Sequence, residues 1–323
     1  MHDAMASIAD ARGQNFAARL RGVPGVAIIL VLLVVVFGLT SRHFASEANL
    51  LNVAMQTTIL LMIALPMTLV ILSEGLDISL GAVLTLCNVV LALMLVRGAG
   101  LAGALAASLV VGGAFGLANG ALVSLAKMPP FVATLGTLGI AQGLALVLTD
   151  GQSVVGLGDA IESIASGRVL GVPIPLAFAI GSYGLTHWLL YHTRFGTYVF
   201  AIGGNREALV LAGVRVNLHH IGIYVFAGLM AGLAALLLTA RMSSGHPTAA
   251  IGMEFDAIVA VAVGGTSFER GEGWLFGTVL GVLAVGVLRN GLNLLGVPSS
   301  LQVVSIGVLV MVALLIDGFR KRR

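Results

Sequence analysis

Residues 101–125 read LAGALAASLVVGGAFGLANGALVSL, twenty-five positions without one charged side chain. Crossing the hydrocarbon of a bilayer takes about 20 such residues, so this stretch reads as a membrane-spanning helix. Similar runs occupy residues 23–40, 50–72, 78–96, 131–148, 172–191, 218–239, 275–294 and 301–316, with a shorter one at 256–263. Composition agrees: of 323 residues 58% are apolar and 10% charged, and mean hydropathy is +1.05. A soluble domain carries roughly 25% charged residues. The expectation is an all-α polytopic integral membrane protein with about ten transmembrane helices, some short or broken. Its parts are a tail at 1–22, a transmembrane domain at 23–316 and a basic tail at 317–323.

The basic residues orient the bundle. With the amino terminus in the cytoplasm, Arg12, Arg19, Arg21, Lys127, Arg194, Arg206, Arg215, Arg270, Arg320, Lys321, Arg322 and Arg323 fall inside, 12 of the 17 in the chain. The positive-inside rule therefore favours both termini in the cytoplasm. A net charge of +3 is spread over the ends of the runs, not gathered into a face, so nucleic acid is not an expected partner. The first run also resembles a secretory h-region, but its leader and core are long and no A-x-A site follows. The single Cys87 sits inside an apolar run and excludes a disulfide framework.

Glycine is abundant, with 43 in the chain. Gly112, Gly116 and Gly120 form two overlapping G-x-x-x-G steps, and Gly139/Gly143, Gly228/Gly232 and Gly277/Gly281 repeat the spacing. Small residues let membrane helices approach closely. The spacing fits packing within one subunit or dimerisation of two.

Several chemistries are absent from the pattern. A P-loop needs Gly before Lys and Ser/Thr, whereas Lys127 and Lys321 follow Ala126 and Arg320. H-E-x-x-H and G-x-S-x-G are also missing, so no protease or lipase of either pattern is supported. No cofactor or metal is expected. His187, His192, His219 and His220 lie at run ends, beside Trp188 and Tyr191 in the first pair, and read as interfacial. The ionisable candidates near membrane depth, Asp77, Asp256 and Arg289, have no sequence neighbour that would complete a proton relay. Uncharged groups are more plentiful. Asn119, Thr134, Thr137, Gln142, Asn290 and Asn293, with Asn88, suit either a pathway for a neutral polyhydroxylated solute or interhelical hydrogen bonds. With Asp77, the first six are the candidate pathway residues.

The segment 192–217 is the strongest local signal. Gly203 and Gly204 break one helix, Asn205 caps the next, and Arg206, Glu207, Leu209 and Leu211 lie on a two-turn piece ended by Gly213. A helix so short cannot span, and reads as a cytoplasmic docking segment for a partner protein.

From here a resemblance is evident. Ala201-Ile202-Gly203-Gly204-Asn205, Arg241-Met242-Ser243-Ser244, Asp256-Ala257-Ile258, Gly264-Gly265-Thr266-Ser267 and Asn290-Gly291-Leu292-Asn293-Leu294-Leu295-Gly296-Val297 closely resemble the permease subunits of bacterial ABC importers for ribose, xylose and arabinose. Gly75-Leu76-Asp77-Ile78-Ser79-Leu80-Gly81 and Pro130-Phe131-Val132-Ala133-Thr134-Leu135-Gly136-Thr137 extend it over about residues 50 to 316. Glu74 and the charged Glu269-Arg270-Gly271-Glu272 depart from the family pattern and bear on the solute. The resemblance implies an inner-membrane permease translocating a pentose- or hexose-like sugar. It also implies a separate ABC ATPase subunit, a periplasmic sugar-binding protein, a second permease that is identical or related, and a coupling helix at 205–214. The permease itself is then not an enzyme. The rival reading is an ion-coupled secondary transporter of a small polar solute, with a structural scaffold subunit a distant third. Runs two to five and seven to ten, if inverted copies, would set Asp77 and Asp256 on opposite sides of the membrane.

Overall fold

A computed structural model describes residues 25–268 and 271–321, with side chains through residue 312. The tail 1–22, Glu269-Arg270 and the side chains of the tail 317–323 lie outside that description. Among the described residues there are twelve helices: α1 (Gly25–Thr40), α2 (Glu47–Leu72), α3 (Leu80–Val96), α4 (Gly100–Ser124), α5 (Pro130–Thr149), α6 (Asp159–Ser166), α7 (Ile174–His192), α8 (Arg194–Leu211), α9 (Val216–Met242), α10 (Met253–Val263), α11 (Leu275–Leu294) and α12 (Ser299–Lys321). A two-residue hairpin, β1 (Arg168–Val169) and β2 (Val172–Pro173), is the only sheet among them. Five helices, α2, α4, α5, α9 and α11, are by themselves long and apolar enough to cross a membrane. The chain is an all-α, multi-pass membrane protein.

α2 is the central post. Ser46 caps it, its hydroxyl accepting from Asn49 N–H at 3.3 Å, and its inner half is buried on every side from Met62 to Leu72. A helix apolar all round is one enclosed by other helices, and α7, α9, α10 and α11 enclose this one. α1 shows the opposite case: Val31, Leu32, Val35 and Leu39 stand exposed, as lipid-facing side chains do.

The most intimate pair is α4 with α9. A Cβ on Gly112 would strike the Gly228 carbonyl, one on Gly116 the Tyr224 carbonyl and one on Gly120 the backbone of Ile221. Ser108 continues the seam by donating to the Gly232 carbonyl at 2.9 Å. The two glycine ladders therefore pack on one another within a single chain. Gly277 and Gly281 likewise meet the carbonyls of Gly264 and Ala260, where α11 crosses α10. Gly139 and Gly143 differ: a Cβ at either would meet nothing within 4 Å.

Two irregular segments interrupt the bundle. Residues 73–79 join α2 to α3, and residues 243–252 lead from α9 into the short α10. Irregular backbone survives at membrane depth only where its polar groups are satisfied. For the second segment α3 does this work: Asn88 accepts from His246 N–H at 2.8 Å and donates to the Ser244 carbonyl at 3.3 Å, and Thr85 accepts from Ala250 N–H at 3.1 Å. Gly245 and Val154 exchange both backbone hydrogen bonds at 2.8 Å.

Candidate functional site

α8 carries a sharp break. Asn205 departs from helical geometry at φ −162° and ψ 90°, and its carboxamide oxygen accepts from Ala208 N–H at 2.9 Å. That is an N-cap, as the side-chain chemistry predicts. The following turn-and-a-half ends at Gly213, φ 77°, with Val214 N–H returning to the Leu209 carbonyl at 3.0 Å. This 6→1 closure needs the left-handed residue glycine supplies. On the resulting knob Leu211 is 89% exposed. Glu207 is exposed and Arg206 and Leu209 half-buried. Val210, 58% exposed, joins this surface; the two-turn pattern alone did not single it out.

The knob is rooted in the bundle. Gly203 is buried, and a Cβ there would run into the Leu72 carbonyl and the backbone of Gly271; Gly204 has open space around it. Leu72 is the last residue of α2, and four residues on comes the second feature.

Four of the candidate pathway residues meet in one cluster around residues 76–79. Asp77 Oδ1 accepts from Ser79 N–H at 2.9 Å and from the Ser79 hydroxyl at 2.6 Å. Asn119, on α4, donates to Ser79 Oγ at 2.9 Å and to Asp77 Oδ2 at 3.4 Å. Thr137, on α5, donates to Asn119 Oδ1 at 2.7 Å. Thr134, one turn earlier, accepts from Ile78 N–H at 3.3 Å and donates to the Pro130 carbonyl at 2.9 Å. Asp77, Ser79, Asn119, Thr134 and Thr137 are all buried. The cluster thus ties α3, α4 and α5 to the end of α2. Ser79 belongs to it and was not among the candidates, although its place two residues after Asp77 is the spacing of an Asx-type turn.

The remaining candidates lie elsewhere. Gln142 donates to the Pro247 carbonyl at 2.7 Å and so holds the second irregular segment. Asn290 pairs amide to amide with Asn49 at 2.9 and 3.0 Å, and Asn293 accepts from Gln302 at 3.0 Å. Asp256 and Arg289, isolated in sequence, form an ion pair at 2.5 Å. Together with Arg241, near the end of α9, the two line one cavity. The Asp77 and Asp256 regions adjoin through α3: a Cβ on Gly81, four residues after Asp77, would strike the carboxylate of Glu254, two residues before Asp256.

Comparison with known proteins gives a consistent result. The family described as "Branched-chain amino acid transport system / permease component" matches residues 49–315. The ribose import permease of Bacillus subtilis strain 168 is 40% identical over 290 residues, 89% of this chain and 90% of that one. The ribose import permease of Escherichia coli K12 is 40% identical over 296 residues, covering 90% and 92%. The D-allose transport system permease of the same strain is 34% identical over 295 residues, covering 91% and 90%. No solved structure matches the chain.

Proposed function

This chain belongs to the family of permease components of branched-chain amino acid transport systems, and from that premise we propose that it is the translocating subunit of an ATP-driven importer for a pentose- or hexose-like sugar in the inner membrane. The observation that carries the reading is 40% identity to two ribose import permeases over nine-tenths of each chain. ATP hydrolysis then belongs to a separate subunit, and a solute-binding protein delivers the sugar. Setting aside α6 and α8, ten crossings result if residues 243–252 and α10 together count as one. The basic residues favour both termini in the cytoplasm.

The mechanism follows from the two breaks. The knob at 206–211 docks on the ATPase, and Gly203 transmits its movement directly to the end of α2 and to Gly271, shortly before α11. The Asp77–Ser79–Asn119–Thr137 cluster, joined to that end, acts as a latch holding α3, α4 and α5 together beside the pathway. Its hydrogen bonds are mutual, so parting the helices exposes acceptors and hydroxyls that a sugar can engage in their place. Asn290 and Asn293, paired with Asn49 and Gln302, brace α11 against α2 and α12.

Copurification tests the assembly. An affinity-tagged chain, expressed with its neighbouring genes, is expected to bring with it an ABC ATPase and a second permease, identical or related. Recovery of the chain alone, together with uptake abolished by a protonophore, would favour the ion-coupled reading.

A further inference from the structure

One cavity in the bundle has walls rich in polar groups, and Arg241, near the end of α9, is one of them. Its volume is about 210 Å³, and Gln56, Arg241, Ile251, Asp256 and Arg289 contribute to its lining. Asp256 is 7% exposed. Its Oδ2 takes the Arg289 guanidinium at 2.5 Å, and among the described residues its Oδ1 has no hydrogen bond. Arg289 Nε is buried with no partner. A second cavity, reaching up to Ala165 and Pro175, shares Arg241 as a wall. Ala165 is on α6 and Pro175 at the start of α7, in the stretch that the charge distribution puts outside. Arg241 therefore stands between an outer vestibule and the inner cavity.

A structural ion pair buried for packing alone has its remaining lone pairs and N–H groups satisfied by protein. Here Asp256 is buried while the Arg289 side chain is 35% exposed; each keeps an unused polar atom, and both line a cavity. Resting on the sugar-importer reading, we infer that Asp256 and Arg289 form a solute station on the outer side of the pathway that takes a neutral sugar through a vicinal diol. The carboxylate accepts one hydroxyl and a guanidinium N–H donates to its neighbour. Hydrogen bonds to ionised groups are the strong ones, and because the two charges cancel, a neutral solute fits without adding uncompensated charge. Arg241, which has no carboxylate partner among the described residues, guides the sugar from the vestibule.

The test uses the whole transporter reconstituted in proteoliposomes, with Gln56→Cys in a Cys87→Ser background. The probe is whichever of ribose, allose or arabinose the transporter imports, and the readout is the rate at which a water-soluble thiol reagent labels position 56. The sugar is expected to slow labelling about tenfold at saturation, and Asp256→Asn or Arg289→Gln to raise the protecting concentration about tenfold. The corresponding aldonate is expected to protect less well. Import without protection of position 56 overturns the station alone, as does better protection by the aldonate, which would make this an anion site governed by Arg241. Import of none of the three sugars overturns the sugar reading, and the station with it. Because the protection measurement leaves Asp256 and Arg289 intact, it decides the matter even if their variants fail to assemble.

Discussion

Gly203 lies directly against the backbone carbonyl of Leu72, so that the residue opening the break in α8 touches the residue closing the central helix. Any side chain at 203 pushes the two apart, whereas Gly204, next in sequence, has free space. Overpacking of this kind costs about 1–3 kcal/mol. Gly203→Val is expected to cut sugar-stimulated ATP hydrolysis by about tenfold, while Gly204→Ala stays near the parent. Equal behaviour of the two variants would separate the knob from α2.

Leu211 is the most exposed apolar side chain of the knob. Leu211→Asp removes an apolar anchor without touching the bundle, and such anchors carry about 2 kcal/mol or more of binding. The variant should insert in the membrane at parental levels and lose most of its affinity for the ATPase in a pull-down. Leu209→Asp, half-buried, is expected to lower both.

Asp77→Ala leaves the Ser79 N–H, the Ser79 hydroxyl and the Asn119 amide without their carboxylate. Each buried orphan costs about 1–3 kcal/mol, so the midpoint of thermal unfolding in detergent should fall by several degrees. Asp77→Asn keeps an acceptor and should lose less stability while still impairing transport. If both variants are as stable as the parent, the cluster is not the tie that the hydrogen bonds describe.

Much of this was legible in the sequence because it is local. The apolar runs gave the helices to within a few residues, with 275–294 matching α11 at both ends. The Gly-Gly-Asn break and the Gly213 stop were read from short-range backbone preferences that tertiary packing did not override. What could not be read was partnership. Gly112/Gly116 and Gly139/Gly143 have identical spacing, yet the first pair seats another helix and the second faces open space. Asn290 meets Asn49 across 241 positions and Asp256 meets Arg289 across 33. Periodicity contains no record of either. α6 and the hairpin at 168–173 were missed because they are too short to impose a period.

The glycine contrast is itself testable. Gly112→Leu drives a side chain into the Gly228 carbonyl and should abolish accumulation of folded chain. Gly139→Leu meets nothing within the subunit and should leave the isolated chain folded. A loss of paired permeases in the Gly139 variant alone would mark the α5 face as their contact.

The central claim, sugar movement driven by ATP through this bundle, is tested most directly by uptake of radiolabelled ribose, allose and arabinose, each in turn, into proteoliposomes containing the permease with the ATPase and solute-binding protein that copurify with it or are encoded beside it. The account predicts accumulation that requires internal ATP, persists with a protonophore present, and falls by about tenfold with Gly203→Val. Uptake that proceeds without ATP and collapses with the proton gradient would contradict it.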